Sequence, residues 1–163
     1  MLNGISEQYK ILVLIYQAFQ ERRVMHDSSP IHKPLSVMAF DYGTKRIGVA
    51  VGNSLTKSAQ NLPVILNAGE EQRFAAIAKI IANWAPDAIA VGLPLHPDGA
   101  EHAMTQKARR FGQQIGGRYS KPVYFVDERY SSVVLEGDVQ YQESLDSHAA
   151  ALILEQFFRE RKI

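Results

Sequence analysis

Between Leu35 and Leu66 the chain is written as short strands with only turns between them, and this limits the fold more than any other feature. Leu35–Phe40 is apolar and ends in Asp41-Tyr42-Gly43-Thr44, Arg46–Val51 is rich in β-branched residues, and Pro63–Leu66 is a third short run. Such runs bounded by turn residues read as β-strands. Asp-x-Gly between the first two predicts a hairpin turn in which Gly43 takes a positive φ. The period then changes. Glu70–Trp84 sets Phe74, Ile77, Ile80, Ile81 and Trp84 on one helical face and stops before Pro86. Ala88–Val91 is a fully apolar strand, and Glu101–Ile115 is a helix ended by Gly116-Gly117. Val123–Val126 is a strand entering Asp127-Glu128-Arg129, and Ser144–Arg161 is the last helix, with Ala149, Ala150, Leu152, Ile153, Phe157 and Phe158 inward. The order βββαβαβα predicts an α/β fold, a mixed five-stranded sheet with helices on both faces.

Residues 35–163 are long enough to bury a core without staples. The absence of cysteine excludes disulfides, thiolate metal sites and a cysteine nucleophile, and it suits a cytoplasmic protein. Residues 1–34 stand apart. Ile5, Tyr9, Leu12, Tyr16 and Phe19 fall at helical spacing, and His26–Pro34 reads as a linker, so an N-terminal helical extension is expected. A translation start at Met25 would place most of that extension outside the protein. The apolar run Ile11–Tyr16 is far too short for a membrane span, so no membrane partner is expected. Net charge is only +1, which announces no nucleic acid. If Asp41, Asp127, Glu128 and Asp146 are taken up around cations, the body from Leu35 becomes mildly basic, as a polyanion-binding protein would be.

Ligands of open α/β sheets collect at the carboxyl ends of parallel strands. Asp41 closes the first strand, Asp127 and Glu128 close the last, and Asp146 opens the final helix. Taken singly, Asp41 is a turn former, Asp146 a helix cap, and Glu128-Arg129 a solvated ion pair. Together they can converge on one cleft as hard oxygen ligands for Mg²⁺ or Mn²⁺, with Asp127 peripheral. Two such ions can serve both the attacking water and the leaving oxygen of a phosphodiester. Lys45, Arg46 and Arg129 lie near that cleft and Ser131 follows it, all suited to phosphate. Lys107, Arg109 and Arg110 on the second helix read as a solvated face or as backbone contacts. His148 reads as a helix residue or a proton-transfer group near Asp146.

Phe40-Asp41-Tyr42-Gly43-Thr44-Lys45-Arg46-Ile47-Gly48-Val49-Ala50-Val51-Gly52 resembles the opening block of the YqgF/RuvX family of Holliday-junction-resolvase-like and pre-16S rRNA nuclease proteins. Pro86–Pro94, with Asp98-Gly99 and Arg110-Phe111 downstream, resembles its second block. Val126-Asp127-Glu128-Arg129-Tyr130-Ser131-Ser132 resembles its Asp-Glu-Arg block, and Leu145-Asp146-Ser147-His148-Ala149-Ala150 its terminal helix start. The resemblance implies an RNase H-like fold, a divalent metal and phosphodiester hydrolysis, with Asp41, Glu128 and Asp146 as metal-binding catalytic acids. The expected partner is nucleic acid, pre-rRNA or branched DNA, and the protein is expected to be cytoplasmic and monomeric or weakly dimeric. The chain departs from the family in its N-terminal extension and at Val133–Leu145. There Glu136, Asp138 and Glu143 stand without any Lys or Arg, where relatives carry a longer, basic loop.

Two other classes compete with the nuclease. The acidic, short loop suits a non-catalytic module that binds RNA or protein. Asp-x-Gly-Thr before a strand also resembles the phosphate loop of actin-like phosphotransferases, but those close two domains around a nucleotide and this chain has length for one.

Overall fold

The computed structural model describes residues 34–130 and 142–161, with side chains as far as Arg129 and again from His148. The chain divides into two units, residues 1–33 and 34–163, and all described residues belong to the second. The expected helical extension and most of the acidic loop therefore lie outside the described residues.

The sheet is five-stranded and mixed. β1 (Ser36–Tyr42), β2 (Arg46–Asn53) and β3 (Ala59–Leu66) form an antiparallel meander. β4 (Ala88–Leu93) and β5 (Val123–Asp127) then add in parallel on the far side of β1, giving the order β3-β2-β1-β4-β5. Among the described residues three α-helices flank the sheet: α1 (Glu70–Trp84), α2 (Ala103–Tyr119) and α3 (Gln142–Arg161). The expected element order is observed.

Alternation along β1 divides the core, because successive strand residues point to opposite faces. Met38 and Phe40 pack with Phe74, Ile77 and Ile81 of α1 and Phe111 and Ile115 of α2. Val37 and Ala39 pack with Ala150, Ile153, Leu154, Phe157 and Phe158 of α3. The small residues Ala39, Ala50, Ala88 and Ala90 on the α3 face let that single helix lie close to the central strands. Phe111 centres the other face, edge-on to Phe40 at 5.7 Å and 4.9 Å from the Tyr42 ring. Within the helices the inward face is narrower than its apolar pattern suggests. Trp84 and Leu152 are exposed, and Leu154 takes the inward place expected of Leu152.

Two expectations about glycine are corrected. The β1–β2 hairpin forms, with Tyr42 opposite Ile47, but Gly43 does not have a positive φ. Its N–H donates to the Arg46 carbonyl at 2.9 Å, and a Cβ at Gly43 would collide with that oxygen. Close approach, not backbone handedness, demands glycine there. Gly116-Gly117 does not end α2, which runs on to Tyr119 and closes at Ser120 in the left-handed region, φ 51°. Gly116 instead lets α2 close on β5, since a Cβ there would lie 3.0 Å from Val123 Cγ2.

Paired substitutions test these roles. Gly43→Ala should cost about 1–3 kcal/mol in urea unfolding, as overpacked sites do. Gly117→Ala, where a Cβ meets nothing within 4 Å, should gain about 0.5–1 kcal/mol from helix propensity. Equal effects of the two would contradict the close-approach account.

Candidate active site

β1, β4 and β5 run in the same direction, so their carboxyl ends share one edge of the sheet. Asp41 is the penultimate residue of β1, opposite Gly48 of β2 and half-buried. Alternation sets it on the face of Val37 and Ala39, the face that α3 covers. β5 ends at Asp127, and the chain tightens at once into a 3₁₀ turn, Glu128–Tyr130. That turn brings the Glu128 side chain back over the end of β4. A Cβ at Gly92 would collide with Glu128 Oε1 and meet Ile153 Cδ1 at 2.5 Å, so the bare Gly92 backbone is the cradle of this carboxylate.

The cradle has an electrostatic consequence. The Glu128 carboxyl is pushed up to about 7, first by burial and then by the like charges of Asp41 and Asp127. Asp127 goes the other way. The Arg129 side chain holds it below the usual carboxylate range, against the opposing effect of burial. Arg129 Nε lies 3.1 and 3.0 Å from the two Asp127 oxygens, and its Nη2 donates to Oδ2 at 2.6 Å. Both oxygens of Asp127 are thus engaged, and the ion pair of Arg129 is with Asp127 rather than the solvated Glu128–Arg129 pair read from the sequence.

The surroundings fix this arrangement. Buried Gln156 of α3 donates from Nε2 to the Asp127 carbonyl at 2.9 Å, tying helix to strand end. Gly99, at φ 87°, leaves room for Arg129 Nη1, which lies 3.0 Å from where a Cβ would stand. Thr105, fully buried at the start of α2, donates its hydroxyl to the Pro94 carbonyl and accepts from the His102 N–H at 3.1 Å. The loop after β4 is therefore anchored at both ends beside the carboxylates. Gln156 carries no motif, and only its place in an otherwise apolar helical stripe could have signalled it.

The structure brings some of the expected residues together and not others. Asp41, Asp127 and Glu128 meet at one edge. Lys45 and Arg46 stand in and after the β1–β2 turn, at the carboxyl end of β1. Arg110 does not join them: it lies on α2, on the opposite face of the sheet beside Tyr42. Ser131 lies outside the described residues. α3 begins at Gln142, which makes Asp146 its fifth residue rather than its cap and puts the end of the expected loop inside the helix. The Asp146 side chain lies outside the described residues. His148 is exposed on α3. Among the described residues no three His, Asp or Glu side chains are grouped to hold a metal ion. What is assembled is a pair, Asp41 and Glu128, of hard oxygen donors whose crowding a divalent cation would relieve. The donor chemistry and the Gly92 cradle both fit such an ion.

The family profile described as "RuvX: Holliday junction resolvase" matches residues 35–160. The chain belongs to the RuvX family. A relative from Polynucleobacter necessarius, named "Putative pre-16S rRNA nuclease", is 54% identical over 127 residues, covering 78% of this chain and 86% of the relative. One of the same name from Paraburkholderia phytofirmans is 52% identical over 134 residues, covering 80% and 92%. Among solved structures, Thermus thermophilus RuvC in complex with a Holliday junction substrate superposes with a TM-score of 0.53 at 17% identity, covering 78% of this chain and 96% of that one, which establishes the RuvC-like, RNase H-like fold. No helix among the described residues is long and apolar enough to cross a membrane.

The raised Glu128 gives a signed pH dependence. A carboxyl raised above its ordinary 4.5 binds its proton more tightly when folded, so folding is favoured at low pH and loses stability as pH climbs from about 4.5 through about 7. In metal-free protein that loss should be on the order of 2 kcal/mol once partial exposure is discounted. Glu128→Gln should abolish it, making the variant the more stable protein at pH 8. A parent no less stable, relative to the variant, at pH 8 than at pH 5 would contradict the burial argument.

Proposed function

We propose that residues 35–163 form a metal-dependent nuclease domain that hydrolyses phosphodiester bonds in structured nucleic acid, with the 5′ end of pre-16S rRNA as its substrate. The observation that carries this reading is the pairing of Asp41 with a buried Glu128 at the carboxyl edge of the central strands, in a chain of the RuvX family. The relatives' names supply the substrate class.

Asp41 and Glu128 would hold the Mg²⁺ or Mn²⁺, and Asp146 would complete the set from α3. When bound, the metal supplies Lewis acidity to a phosphodiester and to the water that attacks it. The chain's own residues supply the rest. The apolar wall around Gly92 and Ile153 keeps water from screening the Glu128 carboxylate. Asp127 presents Arg129 as a fixed guanidinium toward phosphate, and Lys45 and Arg46 offer further positive charge from the hairpin. Asp127 acts here as a positioning residue for Arg129, with no direct role at the metal. The protein works in the cytoplasm as a monomer or weak dimer. A four-way DNA junction is the second substrate to test, favoured by the description of the family and by the RuvC-like fold.

Purified protein with Mn²⁺ should trim precursor 16S rRNA at its 5′ end, and Asp41→Asn should reduce cleavage at least 1,000-fold while changing stability by no more than about 1 kcal/mol. Cleavage that survives Asp41→Asn would overturn the assignment. Cleavage of the junction alone would replace RNA by branched DNA.

A further inference from the structure

The face of the sheet away from Glu128 holds a second basic feature. A cleft of about 190 Å³ opens between α1 and α2 at the end of β1, lined by Tyr42, Glu70, Arg73, Lys107, Arg110 and Phe111. Its one acid is already neutralised, since Glu70 pairs with Arg118 at 2.6 Å. Its cations are not. Among the described residues neither Lys107 nor Arg110 has an ion pair, whereas their neighbour Arg109 is taken by Glu101 and by the Phe125 ring. Arg73 lies over Phe74 and Phe111 and donates from Nη1 to Asn67 Oδ1 at 2.8 Å, leaving a buried Nε without a hydrogen-bond partner among the described residues. Asn67 in turn donates to the Gly43 carbonyl at 2.8 Å, which ties this cation to the hairpin that follows Asp41.

Three cations without an ion pair among the described residues, around an aromatic floor, select an anion with an attached ring. The volume is below the roughly 300–1,000 Å³ of pockets that enclose a whole small-molecule ligand. It suits one phosphate and part of its nucleotide, as a stop along a longer chain. Tyr42 directly follows Asp41 and points to the opposite face. A strand leaving the carboxylates across the end of β1 therefore meets Tyr42 and the cleft next.

We propose that this cleft is a second nucleic-acid contact, seating one backbone phosphate of a single-stranded flank of the substrate against Arg73, Lys107 and Arg110, with the Tyr42 ring against the adjoining base. The proposal rests on the nuclease reading of the Asp41 edge and extends it across the sheet. It accounts for a basic run on α2 that faces away from the carboxylates. The contact is sequence-tolerant, as phosphate and stacking contacts are.

The test is binding of a fluorescent single-stranded RNA 12-mer, read by anisotropy at several salt concentrations in an Asp41→Asn background, where turnover does not interfere. Lys107→Gln, an exposed change on α2, should weaken binding about tenfold, the scale of a charge-assisted contact. It should also make the salt dependence shallower by about 0.7 in log–log slope, the value for one phosphate on a single strand. Lys79→Gln, on α1 but outside the cleft, should leave both unchanged. Equal loss in the two variants would reduce the effect to bulk charge and overturn the proposal, as would unchanged binding by Lys107→Gln. Displacement of the 12-mer by equimolar nucleoside monophosphate would make the cleft a free-nucleotide site and overturn it too. The two readings fail separately. A protein that cleaves nothing but loses affinity in Lys107→Gln keeps the cleft and retires the nuclease, and an active nuclease with unchanged Lys107→Gln affinity does the reverse.

Discussion

The site depends on a carboxylate held where the fold alone makes it unwelcome. Glu128 is folded back over β4 by the 3₁₀ turn after β5, into space that exists because residue 92 has no side chain. Burial and two neighbouring acids raise it to about 7. A group in that position weakens the folded protein when ionised. A divalent cation brought between it and Asp41 would relieve that crowding. Cost to stability at a point of chemistry is a common arrangement in active sites.

The rest of the fold makes that position reproducible. The two faces of β1 are packed independently, aromatic against α1 and α2, small-residue against α3. Asp41 and Tyr42, adjacent in sequence, are thereby delivered to opposite faces of the same strand end. Gln156 and the anchored loop from Pro94 to Thr105 hold the turn that carries Asp127, Glu128 and Arg129. Arg129 holds Asp127 below the usual carboxylate range, whereas burial and like charges raise the affinity of its neighbour Glu128 for protons. Two neighbours of the same chemistry are separated by which of them meets the guanidinium.

Much of this was legible in the sequence because strand and helix periods are local. The element order, the span of α1 and the sheet class follow from apolar spacing, and the carboxyl-edge location of Asp41 and Glu128 follows from the strands they close. What escaped depends on contacts between distant residues. Gly43 and Gly116 were assigned to backbone conformation, yet each is small because another segment approaches: the Arg46 carbonyl in one case, Val123 in the other. The partner of Arg129 is decided by the tight turn, which folds the guanidinium back two residues rather than along the chain. Arg110 reads from the sequence as a solvated face or a backbone contact, and only the crossover from β4, which sends α2 to the other face, shows that it lies away from the carboxylates. Arg73 carries no motif at all and becomes notable only when α1 and α2 are side by side.

The central claim is that Asp41 and Glu128 close on one divalent cation. Anomalous scattering from a crystal grown with Mn²⁺ at pH 8 measures it most directly. The account predicts a manganese peak within bonding distance of both carboxylates, on the α3 side of the strand ends beside Gly92. Manganese bound elsewhere, with Glu128 still enclosed and no peak between it and Asp41, would contradict it.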